Sequence, residues 1–297
     1  MVATDTVDRG IRRHRETSLV GAATVEDVHP IEHLRYVARA QGADPTSLVE
    51  ETAHALGSLR FDPSGLVVAC RRIVERHPFT GPLWWLCANI STSAEPFEAV
   101  WELADEIRSD PTGAELAAVI PDEATVVTIG DPDVTGAGLI RRGDIRVVAL
   151  DAGNTATSFV RRMERYDVDV EPVDSGVAGV VVHHADVVLI EALAVDSGRA
   201  VVPAGSSTIA AAALAWGTPV WLVAGVGRRL PSGFIDAMVA KVTSMSDDGD
   251  PWDLDVEVLP TSMFTHVIGP HGKVPMGPPA IVAECPMAHE LLRHSPI

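Results

Sequence analysis

The sequence predicts an α/β protein, with an N-terminal helical domain followed by a doubly wound parallel sheet. Two features carry this reading. Up to about residue 120 the apolar residues recur at helical spacing; from residue 124 short Val/Ile/Leu runs alternate with helical segments. The runs ATVVTIG, IRVVALD, VDVEPVD, DVVLIEA and TPVWLVAG lack polar alternation, as strands covered on both faces do. The domains are therefore expected at 1–120, with a polar leading tail, and at 121–297, with the break near Pro121.

In the helical half, Ile31, Leu34, Val37 and Ala38 fall on one face. Asp44-Pro45 reads as an N-cap followed by proline at the first helical position. Leu48, Thr52, Ala55, Leu56 and Leu59 make the next stripe. Leu66, Val67, Cys70, Ile73 and Val74 make another, and Phe97, Val100, Trp101, Ala104 and Ile107 a third. Thr112 with Glu115 has the spacing of a capping box. Trp84-Trp85 lies in an apolar helical run and reads as packing between the halves. In the second half, helical segments near 155–165, 175–183 and 207–216 read as right-handed crossovers of a Rossmann-like sheet. After them DDGDPWDLD reads as a polar link and VIGPHGKVPMGPP as a loop.

Composition narrows the function. A chain of 297 residues with 46% hydrophobic and 22% charged residues builds a sizeable core. Its formal net charge of -18 repels phosphate backbones, so no nucleic-acid partner is expected. No apolar stretch is long enough for a membrane span, and the N-terminus lacks a secretory signal, so a cytoplasmic protein is expected. Cys70, Cys87 and Cys285 show no metal-ligand or disulfide spacing and read as buried free thiols. His183-His184, with no carboxylate cluster in view, reads as a structural pair. No metal and no cofactor is expected.

Ligands of an open parallel sheet sit beyond the carboxyl ends of its strands. The turns there contain Gly130-Asp131-Pro132-Asp133, Asp174-Ser175-Gly176, Gly205-Ser206-Ser207-Thr208 and Arg228-Arg229. At Ser206–Thr208 a helix N-terminus offers amides and positive dipole to a phosphate or carboxylate; the alternative is a plain serine cap. The Asp174 carboxylate either accepts sugar hydroxyls or caps the next helix. Gly136-Ala137-Gly138 is short of a full dinucleotide-binding fingerprint. Arg228-Arg229 either closes over an anion or is a surface pair.

The stretches VVTIG, VDSGVAG, ADVVLIEALAVDSG, AGSSTIAAAALAWGTPVWLVAG and RRLP, in this order and spacing, resemble the alpha/beta/delta regulatory subunits of translation initiation factor 2B and their relatives methylthioribose-1-phosphate and ribose-1,5-bisphosphate isomerase. The resemblance covers about 124–229, with fainter echoes at HPFTGPLWWL and DLDVEVLP. It implies a helical domain, a Rossmann-like domain and a homodimer, and in the enzymes an aldose–ketose isomerisation of a sugar phosphate. That chemistry uses a cysteine after the first strand and an aspartate after the fourth. Here those places fall at about Gly130 and Leu193. The family's Asn-Lys pair appears as Val202-Pro203, and its two arginines fall near Gly153 and His77. Asp174, Gly205-Ser206 and Arg229 match what the resemblance implies.

The resulting expectation is an initiation factor 2B-like protein that binds a phosphorylated sugar or nucleotide between its halves without the isomerase chemistry. The expected ligand-binding residues are Gly130, Asp174, Ser175, Gly205, Ser206, Ser207, Thr208 and Arg229. The alternatives are an isomerase with altered residues, for which Asp131, Asp174 and Glu191 are the candidate acids and bases, and an interaction subunit docking through its acidic surface.

Overall fold

The computed structural model of the chain describes residues 44–61, 65–151, 156–277 and 280–293. The expected helical face from Ile31 to Ala38 lies outside them. Helix α1 (Pro45–Gly57) starts as its sequence dictates: the Asp44 carboxylate accepts a hydrogen bond from the Ser47 amide at 2.8 Å, with proline in the first turn. Helices α2 (Leu66–Arg76), α3 (Gly81–Thr92) and α4 (Pro96–Arg108) follow, with α1, α2 and α4 each packed on α3, and then comes α5 (Thr112–Val119). Helix α3 is apolar on all sides and is the buried centre of this group, with Leu83, Trp84, Trp85, Leu86 and Cys87 all in the core. The Cys87 thiol lies against the Cys70 thiol; that contact, with burial, pushes the Cys87 pKa well up, so Cys87 remains a protonated thiol.

Two local expectations need correction. Trp101, placed on the buried stripe of α4, is 44% exposed and meets the His54 ring edge-on at 4.9 Å. Thr112 does not cap α5. The Asp110 carboxylate takes the Thr112 amide at 2.9 Å, ahead of the threonine hydroxyl, which is left without a partner.

The second half contains a seven-stranded sheet. Strands β1 (Thr125–Ile129), β2 (Arg146–Asp151), β3 (Asp169–Asp174) and β4 (Val187–Glu191) come from four of the apolar runs. They are joined by α6 (Asp133–Arg142), α7 (Ala156–Arg165) and α8 (Ala178–His183). After β4 come β5 (Ala194–Val195), β6 (Arg199–Pro203), α9 (Ser206–Trp216) and β7 (Val220–Val223), then α10 (Ser232–Asp248), β8 (Val256–Pro260), β9 (His266–Gly269) and β10 (Gly272–Pro275). The strand order is β10-β9-β7-β4-β1-β2-β3, with every pair parallel except β9 with β10.

The tail differs from expectation. VIGPHGKVP is not a loop but the β9–β10 hairpin, turned at Pro270-His271, with Gly272 opening the second strand at a φ of 96°. β5, β6 and β8 form a separate antiparallel sheet. β3 is also less buried than its run suggested. It is the sheet edge, with exposed Asp169, Glu171 and Asp174 and with Pro172 tolerated there.

Successive strand residues point to opposite faces. Val127, Ile129, Val188 and Ile190 pack under α8 and α9, whereas Val126, Val147, Leu189 and Val223 pack against Leu116, Leu139, Phe159 and Met163 of α5, α6 and α7. A third cluster joins the helical half to α10, with Trp84 against Phe234 at 5.1 Å. The halves also meet through the backbone: the Gly81 amide donates to the Leu193 carbonyl at 3.1 Å. A side chain at Gly81 would collide with that carbonyl and with the Gly227 carbonyl. Among the described residues no helix is long and apolar enough to cross a membrane.

Candidate functional site

The chain runs from β1 outward to β2 and β3, then returns to place β4 on the other side of β1. The carboxyl ends of β1 and β4 therefore flank the switch point of the sheet, where the connections diverge and leave a crevice. A cleft of about 890 Å³ opens there. Its floor comes from Gly130, Asp131, Pro132 and Asp133 after β1 and from Glu191 and Leu193 at the end of β4. Pro203, Ala204 and Gly205 close one side. Residues Trp252, Asp253, Leu254 and Asp255 close another. Asp44, Pro45 and Thr80 supply the wall from the helical half. A second cavity of about 450 Å³ lies alongside, between α4, α5 and α6, and shares Pro45, Asp133 and Arg228 with the first.

Glu191 and Arg228 form the base of the cleft. Their side chains are 5% and 3% exposed and meet at 2.8 Å. The Arg228 guanidinium also donates to the Ala192 carbonyl at 2.7 Å. Glu191 further accepts from the Asp133 amide at 3.2 Å and the Thr135 amide at 2.7 Å, so it fills the N-terminus of α6. Asp133 stands beside it, half-buried. Burial, reinforced by the Glu191 charge, raises the Asp133 pKa above the ordinary carboxylate range. Asp131 is held by Ser158 at 2.5 Å and by Arg162 at 3.0 Å.

The helix mouth at PAGSST is occupied. The Glu257 carboxylate from β8 accepts from the Ser207 amide at 2.6 Å and the Ser207 hydroxyl at 2.7 Å. Ser206 is fully buried and donates to the Pro203 carbonyl at 2.7 Å. The open, unsatisfied helix end expected from the sequence is thus closed by the protein's own carboxylate. The reason is register: Glu257 pairs with Val202 in the β6–β8 ladder, just ahead of α9.

Of the residues expected at the site, Gly130, Asp131, Glu191 and Gly205 line the cleft. Ser206, Ser207 and Thr208 lie behind its edge. Asp174 and Ser175 are at the end of edge strand β3, away from it, where Asp174 accepts from the Gly176 amide at 2.7 Å as a turn cap. Arg229 points elsewhere and pairs with Glu284 at 2.5 Å, and Arg228 is buried; the two arginines are not a surface pair. Sequence reasoning missed Arg162 and the Trp252–Asp255 wall as cleft residues, and it named Asp133 and Arg228 only within their turns, not among the expected ligand-binding residues. The clue available was the two aspartates of DPD and the three of DPWDLD. The His183 and His184 rings lie 4.9 Å apart and those of His183 and Trp216 4.1 Å apart, tilted by 56° and 40°.

The described lining holds six carboxyl groups (Asp44, Asp131, Asp133, Glu191, Asp253, Asp255) against two guanidinium groups, each already paired with one of the six. Such a surface accepts hydrogen bonds from hydroxyl and amino groups and repels phosphate.

No protein-family model and no curated protein matches the chain. Solved structures do. The translation initiation factor eIF-2B of Pyrococcus horikoshii OT3 superposes with a TM-score of 0.70 at 15% identity, covering 85% of this chain and 98% of that one. The eIF2B beta chain from Chaetomium thermophilum gives 0.61 at 15% identity, covering 83% and 86%. The eIF2B delta chain from the same organism gives 0.60 at 19% identity, covering 82% and 97%. A beta chain and a delta chain also occur together in a tetrameric eIF2B-beta2-delta2 complex, to which this chain is likewise similar. With its helical N-terminal half, its mostly parallel sheet and these neighbours, the chain has the eIF2B-like fold.

Proposed function

We propose that this is an eIF2B-like binding protein whose cleft takes a small polyhydroxylated molecule, a sugar or nucleoside, and does not isomerise it. The observation that carries this reading is the cleft at the β1/β4 switch point, roomy but lined by carboxylates. Hydroxyl groups of the ligand donate to Asp133, Asp253 and Asp255, and the exposed Trp252 ring gives a sugar or base a flat apolar surface. The phosphate expected from the sequence has no unpaired cation to meet among the described lining residues, so the unphosphorylated form is preferred. Isomerase chemistry is disfavoured because Glu191 is committed to two amides and to Arg228.

Thermal-shift and calorimetric titration with matched pairs of sugars or nucleosides and their phosphates tests this. Saturable stabilisation by unphosphorylated members, weakened at least tenfold by W252A and by D255N, supports it. A response confined to the phosphates, or no response to any pair, overturns it. A second reading, an aldose–ketose isomerase with altered residues, is favoured by one observation, the half-buried Asp133 of raised pKa beside Glu191. Proton exchange or ketose formed from a bound aldose, followed by NMR and lost in D133N, would establish that reading in place of the first.

A further inference from the structure

We propose that the side cavity between α4, α5 and α6 is a second binding site, for a small organic carboxylate with an apolar body. The cavity holds about 450 Å³, a volume typical of small-molecule sites. Its walls are mostly apolar, built by Pro45, Pro82, Ile107, Pro111, Val134 and Val226. Gly113 and Ala114 of α5 and Ala137 of α6 bring little bulk to the lining, so the hollow stays open where these helices meet the end of α4. Such walls take hydrocarbon.

Charge sets this cavity apart from the cleft beside it. The lining carries three guanidinium groups, Arg108, Arg141 and Arg228, against two carboxyl groups, Asp110 and Asp133. In a chain of formal net charge -18, and next to a cleft lined by six carboxyl groups, that balance is inverted. Both carboxyl groups are also committed. Asp110 accepts from the Thr112 amide through one oxygen and from the Val226 amide through the other, each at 2.9 Å. Asp133 accepts from the Thr46 hydroxyl at 3.3 Å, and burial with the Glu191 charge favours its neutral form. Of the cations, Arg108 is held by Glu50 at 2.7 Å and by Asp105 at 2.9 Å, and Arg228 by Glu191 at 2.8 Å. Arg141 has no ion-pair or hydrogen-bond partner among the described residues, whereas its neighbour Arg142 pairs with Asp122 and Asp144.

The unpaired group selects the ligand. A guanidinium is a planar fork of donors that meets a carboxylate with two parallel hydrogen bonds. A phosphate, with its greater charge, calls for further cations or for main-chain amides, and Asp110 already takes the amides at this corner. The apolar walls then receive a hydrocarbon chain or ring behind the carboxylate. Pro45 and Ile107 line the hollow from the helical half, and Val134 and Val226 from the sheet half. An occupant therefore touches both halves and stabilises the folded chain.

The test is calorimetric titration of the full chain with phenylacetate and hexanoate, with phenylacetamide as the neutral counterpart and with inorganic phosphate. Saturable binding of both carboxylates is expected, about tenfold or more tighter than that of phenylacetamide or phosphate, with a raised melting temperature. R141Q should weaken the carboxylates by about tenfold or more. A137L, which keeps every charge and fills the hollow, should weaken them as well. If either variant misfolds, hydrogen exchange on the unaltered chain decides: phenylacetate must add protection within 107–117 and 134–142. No saturation below about 10 mM, phosphate or phenylacetamide bound as tightly as the carboxylates, folded R141Q binding like the parent, or protection added only elsewhere overturns the proposal. None of these outcomes touches the reading of the cleft, whose test residues Trp252 and Asp255 lie outside this lining.

Discussion

Replacing Glu191 by glutamine probes the base of the cleft most directly. The substitution keeps the side-chain shape and one oxygen for the Thr135 amide, but removes the charge facing Arg228. At 5% and 3% exposure, water screens this pair little. Breaking one partner of such a pair costs about 3–5 kcal/mol, because the other charge stays buried. The Ala192 carbonyl still accepts from Arg228, and Asp133 loses a like-charged neighbour, so the lower end of about 3 kcal/mol is expected. For a chain of 297 residues that lowers the melting temperature by about 5 °C. Urea unfolding at pH 7 followed by tryptophan fluorescence measures it, together with R228M and the double variant. The double variant should be less destabilised than the sum of the singles by about 1.5 kcal/mol or more. A loss under 1 kcal/mol for E191Q, or additive effects in the cycle, would refute the view that this ion pair is buried and mutually dependent.

Three further outcomes are expected. D133N should raise the melting temperature at neutral pH, because Asp133 has a raised pKa in the folded state and its ionised form is what burial and Glu191 disfavour. That gain should shrink as pH falls through the raised value and vanish below the ordinary carboxylate range, as a pH series of melts would record. G81A should destabilise by about 1–3 kcal/mol in urea, since the new methyl meets the backbone carbonyls of Leu193 and Gly227 rather than a side chain able to turn away. E257A should cost about 1 kcal/mol as a lost helix cap and should make the protein respond to inorganic phosphate in a thermal-shift assay; a variant no more responsive than the parent would mean that α9 offers anions nothing when opened.

The sheet was legible because its strands are short apolar runs separated by helical segments, a pattern with one economical solution. Those strands, the three crossover helices and the Asp44 cap follow from local sequence. What was not legible depends on pairing between distant segments. Glu257 closes the mouth of α9 because β8 pairs with β6 in a particular register, and VEVLP is too short to announce that pairing. Arg228 and Glu191 meet because β4 and β7 are neighbours, so a turn that reads as a surface Arg pair ends in the core. Of the expected residues, Gly130, Asp131, Glu191 and Gly205 line the cleft at the carboxyl ends of the strands, but the charge of that cleft was not foreseen. A helix N-terminus in sequence does not disclose which distant carboxylate will come to it.

Glu191, Glu257 and Asp110 each sit on main-chain amides at a helix start, and Asp110 also receives the Val226 amide at 2.9 Å. The fold's usual seats for a visiting anion are taken by residents that cannot diffuse away. Under the binding role proposed above, a molecule entering the crevice would be selected by the protons it offers and not by the negative charge it brings.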